Sequence, residues 1–331
     1  MLKRCFVRIS FAFLAVAAGH AIAEDTRSTR TLETVVVSGV QPGPGLWKVT
    51  KDDHVLWVMG TLTPLPKRME WESRDVEKAI AESQELLLLP RAEVSIEGGM
   101  FKALTLMPSL MGARNNPDKK MLRDVVSPEL YARWLALKKK YLGKDASVEK
   151  RRPIIAGFKL YEKAVERSGM SFKDVVTPTV KKVAKKHDLV ITQPAVGVKI
   201  KDPRTRVKEF KRTTLDDSEC FDKTLQRLES DVETMKLRGN AWAMGDVITL
   251  REEKYTDNTR ACMDAVLGAS MAEKTGLSTL PERVKAKWIE SAEAALAKNR
   301  STFALLPIAN VLDEDGFIAA LKARGYTVEE P

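Results

Sequence analysis

The sequence predicts a mixed α/β (α+β) domain. Apolar runs of strand length occur near both ends of the chain, at 46–50, 55–59, 85–89 and 302–306. Between them most of the chain has the apolar spacing of helices. Apolar residues make up 44% of the sequence, and glycine and proline are present in ordinary numbers, so a sizeable core can form. We therefore expect one folded domain over 45–331, with a large helical insert over about 94–270.

The first residues have the pattern of a secretory signal peptide. Three basic residues precede an apolar stretch over 9–18, and Ala21-Ile22-Ala23 is a small-x-small cleavage motif. We predict cleavage after Ala23 and a periplasmic location for the mature chain. An uncleaved membrane anchor is the alternative, although the apolar stretch is short and rich in alanine for that role.

The mature chain is only mildly basic. Cleavage would remove three of the 55 Lys and Arg residues, leaving 52 against 45 acidic residues, a formal charge of +7 instead of +10. Export argues against nucleic acid as a partner. It leaves an acidic polysaccharide or an anionic lipid as candidate partners for a basic face.

The densest basic stretch runs from Lys199 to Arg212 and holds seven basic residues against two acidic ones. It is the candidate binding site for an anionic envelope partner, and the alternative is a solvated face without a partner. Its basic residues are Lys199, Lys201, Arg204, Arg206, Lys208, Lys211 and Arg212.

Residues 24–44 predict a flexible linker, because they are mostly polar and end in Pro-Gly-Pro-Gly. Within them, ETVVVSG resembles the energy-coupling box of TonB-dependent outer-membrane receptors, which adds a strand to the sheet of its partner. No barrel sequence follows this segment. The plain interpretation is a tether or an edge strand, and a contact of residues 31–39 with TonB is the alternative.

The folded part is predicted to open with two strands, a helix and a third strand. Residues 51–54 separate the first two strands and have the composition of a hairpin turn. Ser73 is the expected N-cap of the helix that follows. The continuous apolar run Glu85–Leu89 predicts a strand buried on both faces, which Pro90 ends.

Helices are predicted at two places in the middle of the chain. Ser127 and Pro128 have the pattern of an N-cap followed by proline in the first turn. Pro153 is expected to begin or kink a helix that carries Ile154, Phe158 and Tyr161 on one apolar face.

The rest of the chain alternates strands and helices. A short strand is predicted at 189–192, a helix from Pro281 and the strand 302–306. A helix over 314–324 should end at Gly325, which has the position of a C′ glycine, and a last strand should follow it.

A long helix is predicted from Asp217, because its apolar residues step by four, three, four and three positions. This stripe consists of Phe221, Leu225, Leu228, Val232 and Met235. The helix is expected to end in a turn at Gly239-Asn240. An antiparallel hairpin around that turn brings Cys220 and Cys262 to the same level. Because these two cysteines remain after cleavage, in an oxidising compartment, we predict that they form a disulfide.

Neither a metal site nor a nucleophilic site is evident from the residues. The mature chain has two histidines, His54 in the expected hairpin turn and His187 at a helix end, and we interpret both as solvated. Zinc sites use three or four His, Cys or carboxylate ligands. There is no Gly-x-Ser-x-Gly motif, no histidine placed as a base for a serine and no phosphate-binding glycine loop. We therefore predict no cofactor.

Three segments carry a family resemblance. The first is GLWKVTKDDHVLWVMGTLTPLPKRMEWESRDVEKAIAESQELLLL over 45–89, the second is AWAMGD over 241–246, and the third is AKNRSTFALLPIANVLDEDGFIAALKARGYTV over 297–328. Together they resemble the TraB/GumN proteins, relatives of the Tiki metalloproteases. The resemblance implies a fold in which the N-terminal and C-terminal segments build the β-sheets around a large helical insert.

The same resemblance implies a lost metal site. In active relatives, two Gly-x-x-His motifs and acidic residues are thought to hold a metal. The first motif here is Gly60-Thr61-Leu62-Thr63, and the second is Pro307-Ile308-Ala309-Asn310. The strand that usually ends in glutamate ends here in Leu89-Pro90. The resemblance thus implies no metal and no catalytic residue, with a vestigial pocket formed by Gly60, Thr61, Thr63, Pro307 and Asn310.

These features predict a non-catalytic binding or accessory protein of the cell envelope. The GumN name links the family to exopolysaccharide gene clusters, which makes an acidic polysaccharide a candidate partner. The alternative is a metal-dependent hydrolase or protease whose ligands are carboxylates, for which Asp313, Glu314 and Asp315 near the second motif are candidates.

Overall fold

A six-stranded sheet joins the two ends of the chain. The computed structural model describes residues 43–331 except 68, 70, 72–73, 214, 231, 254–260, 263 and 266–275. The described strands are β1 (Leu46–Lys51), β2 (His54–Thr61), β3 (Leu65–Pro66), β4 (Glu85–Leu87), β5 (Arg91–Ile96), β6 (Met170–Ser171), β7 (Val190–Thr192), β8 (Ala195–Ile200), β9 (Ser301–Pro307) and β10 (Thr327–Glu329).

The described helices lie mostly in the middle of the sequence. They are α1 (Arg74–Ala81), α2 (Gly99–Gly112), α3 (Pro128–Tyr141), α4 (Pro153–Arg167), α5 (Val176–Lys186), α6 (Pro203–Arg212), α7 (Ser218–Ser230), α8 (Val232–Met244), α9 (Val247–Glu252), α10 (Leu280–Lys298), α11 (Ile308–Leu312) and α12 (Phe317–Ala323). None of them combines the length and the apolar composition that crossing a bilayer requires.

The order of strands in the main sheet is β10-β1-β2-β9-β4-β7. β1 pairs antiparallel with both β2 and β10, whereas the β2–β9, β9–β4 and β4–β7 pairs are parallel. The mixed α/β class and the sheet built by the two chain ends are therefore confirmed. The middle of the chain supplies β7, as predicted, and a separate parallel pair, β5 and β8, which the helical insert was not expected to contain.

The first two strands form the predicted hairpin. Asp52 has a φ of 54° in the turn, a conformation that aspartate tolerates better than most residues. His54 is the first residue of β2 instead of a turn residue, and its Nδ1 lies 2.8 Å from the carbonyl oxygen of Asn299. The interpretation of His54 as a solvated side chain is wrong, because its position in β2 places the imidazole in contact with Asn299 at the end of α10.

The main core lies on both faces of the sheet. Leu86 and Leu87 of β4 are completely buried, which confirms a strand covered on both sides. The strand ends two residues earlier than predicted, and the backbone N–H of Leu88 donates to Thr192 at 2.9 Å. Trp47 of β1 and Trp288 of α10 are among the largest side chains in this core.

A second core joins α3, α4 and α7. Ser127 caps α3 as predicted, with its hydroxyl oxygen accepting from the N–H of Leu130 at 3.3 Å. Pro153 begins α4 as predicted. The expected apolar face is buried at Tyr161 but not at Phe158, which is 66% exposed, because the buried face of α4 is turned toward α7.

The predicted long helix contains α7 and α8, and residue 231 between them lies outside the described residues. The turn expected at Gly239-Asn240 is wrong, because α8 continues to Met244 and the chain turns at Gly245, whose φ is 73°. Gly239 instead allows close packing, since a Cβ atom there would lie 3.2 Å from Cδ of Pro66. Its glycine therefore reflects a close contact with β3 and not a change of chain direction.

Cys220 of α7 and Cys262 form the predicted disulfide, with their Cα atoms 4.6 Å apart. The predicted signal peptide, residues 24–42 of the linker with the 31–39 segment, and the expected Ser73 cap lie outside the described residues. The described elements all belong to one compact unit.

Candidate functional site

The two motif loops leave neighbouring parallel strands at the same edge of the sheet. Gly60 lies opposite Leu306, and Thr61 lies opposite Pro307. The Thr61 hydroxyl donates to the carbonyl oxygen of Leu306 at 3.4 Å. The carboxyl edge of parallel strands is where α/β proteins usually place their sites. We call Gly60, Thr61, Thr63, Pro307 and Asn310 the strand-end site.

The space between these two loops is partly filled by Ile308. This residue begins α11 immediately after β9, and its side chain is buried. A Cβ atom on Gly60 would overlap the Ile308 side chain, so only glycine fits at this position without movement. The glycine of the first motif therefore serves the packing of α11 against the end of β2.

Trp242 of α8 closes the end of β2 from another side. Its indole Nε1 donates to the carbonyl oxygen of Gly60 at 2.7 Å, and the side chain is 1% exposed. Trp71 and this indole form an edge-to-face pair, with ring centroids 5.7 Å apart. This role is not evident from sequence spacing; the available signal was the position of Trp242 inside AWAMGD.

Thr63 and Asn310 lie beyond the strand ends. The Thr63 side chain is exposed, while its neighbours Leu62 and Pro64 are buried. Asn310 is half-buried on α11, and its backbone carbonyl is so close to Gly316 that a Cβ there would overlap it. The residues next to Thr63 and Asn310 therefore hold the two loops in place. The Thr63 hydroxyl and the Asn310 amide lie near the edge of the sheet.

The carboxylates proposed for the alternative enzyme are exposed, and that of Asp313 accepts a hydrogen bond from the nearby backbone. The backbone N–H of Asp315 donates to Asp313 Oδ1 at 3.0 Å, and Lys285 Nζ donates to the carbonyl oxygen of Asp315. Glu314 is also exposed. Among the residues that the structure describes, no three His, Cys, Asp or Glu side chains are grouped so that they could hold a metal ion.

The donor chemistry of the strand-end site does not fit the metal that the family resemblance implies. The two positions of the implied histidines carry a neutral hydroxyl and a neutral amide, which bind zinc and similar ions weakly. Neither Leu89 nor Pro90 can replace the implied glutamate. What the site can do is donate and accept hydrogen bonds.

Two surface clefts lie elsewhere. One has a volume of about 510 Å³ and is lined by residues of β1, β2 and α1 together with Pro331. The other has a volume of about 380 Å³ and lies between the end of α3 and α4. Neither cleft includes Thr63 or Asn310 in its lining.

The predicted anion-binding residues lie on β8, on α6 and at their junction. Arg206 is half-buried and pairs with Glu209, with an Nη1–Oε2 distance of 3.0 Å, so it is already engaged. The other six are exposed: Lys199, Lys201, Arg204, Lys208, Lys211 and Arg212. Six of the seven predicted residues are therefore accessible to a partner.

We predict that Gly60→Ala destabilises the protein by about 1–3 kcal/mol, because the added methyl group overlaps Ile308. Denaturant unfolding would measure the loss. Ile308→Val removes Cδ1, the atom closest to the new methyl, so the double substitution should cost less than the sum of the two single ones. Strict additivity would contradict this contact.

Comparison with known proteins identifies the family. A family model described as the TraB/PrgY/gumN family matches residues 45–330. The matched range contains every described strand and helix. Comparison with the curated proteins and with the solved structures finds no match. The chain belongs to the TraB/PrgY/gumN family.

Proposed function

We propose that this protein is a non-catalytic binding or accessory protein of the cell envelope, built on the TraB/PrgY/gumN fold without a metal site. One observation carries the proposal. The ends of β2 and β9 lie side by side, as a two-motif metal site would need, but the side chains offered there are Thr63 and Asn310. The two strand ends are therefore placed as a metal site would need, but threonine and asparagine are not the residue types that bind transition metals.

Two further features support the envelope location. The chain begins with a signal-peptide pattern, and Cys220 and Cys262 are joined in a disulfide, which persists mainly in oxidising compartments. The exposed basic residues of β8 and α6 support an anionic partner, for which an acidic polysaccharide and an anionic lipid are both available in an envelope.

The proposal predicts that the processed protein contains far less than one transition metal ion per chain. The measurement is elemental analysis after purification without a histidine tag and without chelator. The double substitution Thr63→His with Asn310→His should raise the zinc content, because it restores two imidazole ligands at neighbouring strand ends. Thr63→Ser with Asn310→Gln is the matched control and should leave the zinc content unchanged.

One result would overturn the proposal. If the unmodified protein contains near-stoichiometric zinc, manganese or cobalt, and dialysis against a chelator removes both the metal and a hydrolytic activity, the enzyme alternative is correct. Failure of the double histidine variant to bind zinc would mean that α11, which starts directly after Pro307, holds Asn310 too far from Thr63.

A further inference from the structure

An exposed apolar stripe runs along α2. Phe101 is 85% exposed, Leu104 60%, Met107 52% and Met111 62%. Their steps of three and four positions place these side chains along one side of the helix. α2 contains no acidic residue, and its described buried side chain is Leu106. Single exposed apolar residues are ordinary, but a continuous stripe of large ones marks a binding surface.

A basic helix lies beside this stripe. β5 and β8 pair in parallel, and each leads into a helix, so α2 and α6 extend from the same end of the pair. The buried Arg152 joins the far ends of the two helices, donating from Nε to Ala113 O at 2.9 Å and from Nη1 to Thr213 O at 2.8 Å. The two helices are therefore held together by the fold.

The exposed cations of α6 also share one side. Arg204, Lys208 and Lys211 are spaced by four and three positions, and all are exposed. A Cβ on Gly112 would lie 3.5 Å from Lys211 Nζ, so this ammonium group sits at the end of α2. Within the described residues, no carboxylate lies within ion-pair distance of these three cations. We call the α2 stripe and these cations the α2/α6 face.

We infer that the α2/α6 face docks the protein onto an anionic lipid surface. Apolar side chains on a helix enter the boundary between headgroups and acyl chains, and neighbouring Lys and Arg residues contact lipid phosphates. The stripe lies on the exposed side of α2, where its side chains can enter such a boundary. A soluble acidic polysaccharide would satisfy the cations and leave the stripe in water. A lipid surface accounts for both.

This inference deepens the proposed envelope role and rests on it only for the location of the protein. Its test is flotation of the processed protein with vesicles rich in phosphatidylglycerol, compared with vesicles of phosphatidylcholine alone. We expect binding to the anionic vesicles and weaker binding as salt increases, because salt screens exposed charges. Absence of binding to anionic vesicles at low salt would overturn the inference, whatever the metal content.

Two variants separate the parts of the surface. The triple substitution Phe101→Ser, Leu104→Ser and Met107→Ser should weaken binding at least about tenfold, because it removes the apolar burial. Arg204→Gln with Lys208→Gln and Lys211→Gln should also weaken binding at least about tenfold. All six side chains are exposed, so the fold should be retained.

The controls make changes of the same kind on other exposed residues. Phe158→Ser with Ile248→Ser removes apolar side chains from α4 and α9, and Lys182→Gln with Lys185→Gln and Lys186→Gln neutralises three lysines of α5. Both should change binding less than about twofold. If the α2 variant binds vesicles normally but loses self-association, the stripe contacts a second copy of the chain and the inference is wrong. Equal losses in the α5 and α6 charge variants would likewise contradict a localised surface.

Discussion

Trp242→Ala is expected to destabilise the folded protein by about 3–5 kcal/mol. The side chain is 1% exposed, packs against Trp71 and donates to the carbonyl oxygen of Gly60. Its removal leaves a cavity beside the end of β2 and an unpaired carbonyl group. The measurement is denaturant unfolding with the disulfide intact, followed by tryptophan fluorescence and by far-ultraviolet circular dichroism, whose transitions should coincide.

Two further variants separate the contributions of the hydrogen bond and of the apolar volume to this loss of stability. Trp242→Phe keeps most of the apolar volume but removes the indole donor, and should cost about 1–3 kcal/mol. Phe158→Ala is the control, because its side chain is 66% exposed, and should change the free energy of unfolding by less than about 0.5 kcal/mol. A loss below about 1 kcal/mol for Trp242→Ala would show that Trp242 does not hold the strand-end site.

Removal of the disulfide should cost about 2–4 kcal/mol. Cys220 and Cys262 are 42 residues apart, and closing a loop of that length restricts the unfolded chain by about 4 kcal/mol in the chain-entropy model. The measurement compares denaturant unfolding of the wild type with that of Cys220→Ala plus Cys262→Ala. The double variant avoids leaving a reactive free thiol.

Reduction of the wild-type protein supplies the control. Dithiothreitol should shift the unfolding midpoint of the wild type toward that of the double variant and leave the double variant unchanged. Titration of two free thiols in the untreated, denatured protein would contradict the disulfide. An identical midpoint for oxidised and reduced wild type would contradict its contribution to stability.

The strands at both chain ends could be predicted from local pattern, because hairpin composition and continuous apolar runs are visible within a few residues. The position of β9 between β2 and β4 could not, since it pairs Val55 with Ser301 across most of the sequence. The continuation of α8 to Met244 was hidden for a different reason. Gly239 has the composition of a turn but allows a close contact with Pro66 inside the helix.

The candidate site was predictable in part. The residues of the strand-end site could be predicted from the positions of the two motifs. The packing of Ile308 against Gly60 and the hydrogen bond from the Trp242 indole to Gly60 could not, because they require α11 and α8 to meet at the end of β2. The α2 stripe escaped prediction because apolar spacing in a helix predicts a buried face. Only the tertiary arrangement shows that Phe101 and Met111 point away from the core.

The place of β9 in the sheet imposes an order of events on synthesis. A nascent chain that ends before residue 301 already contains β1, β2, β4 and β7, yet it lacks the strand that lies between the β1–β2 hairpin and the β4–β7 pair. The six-stranded sheet therefore cannot close until almost all 331 residues have left the ribosome. Until then the β1–β2 hairpin and the β4–β7 pair have no strand to join them, so the core on both faces of the sheet stays incomplete.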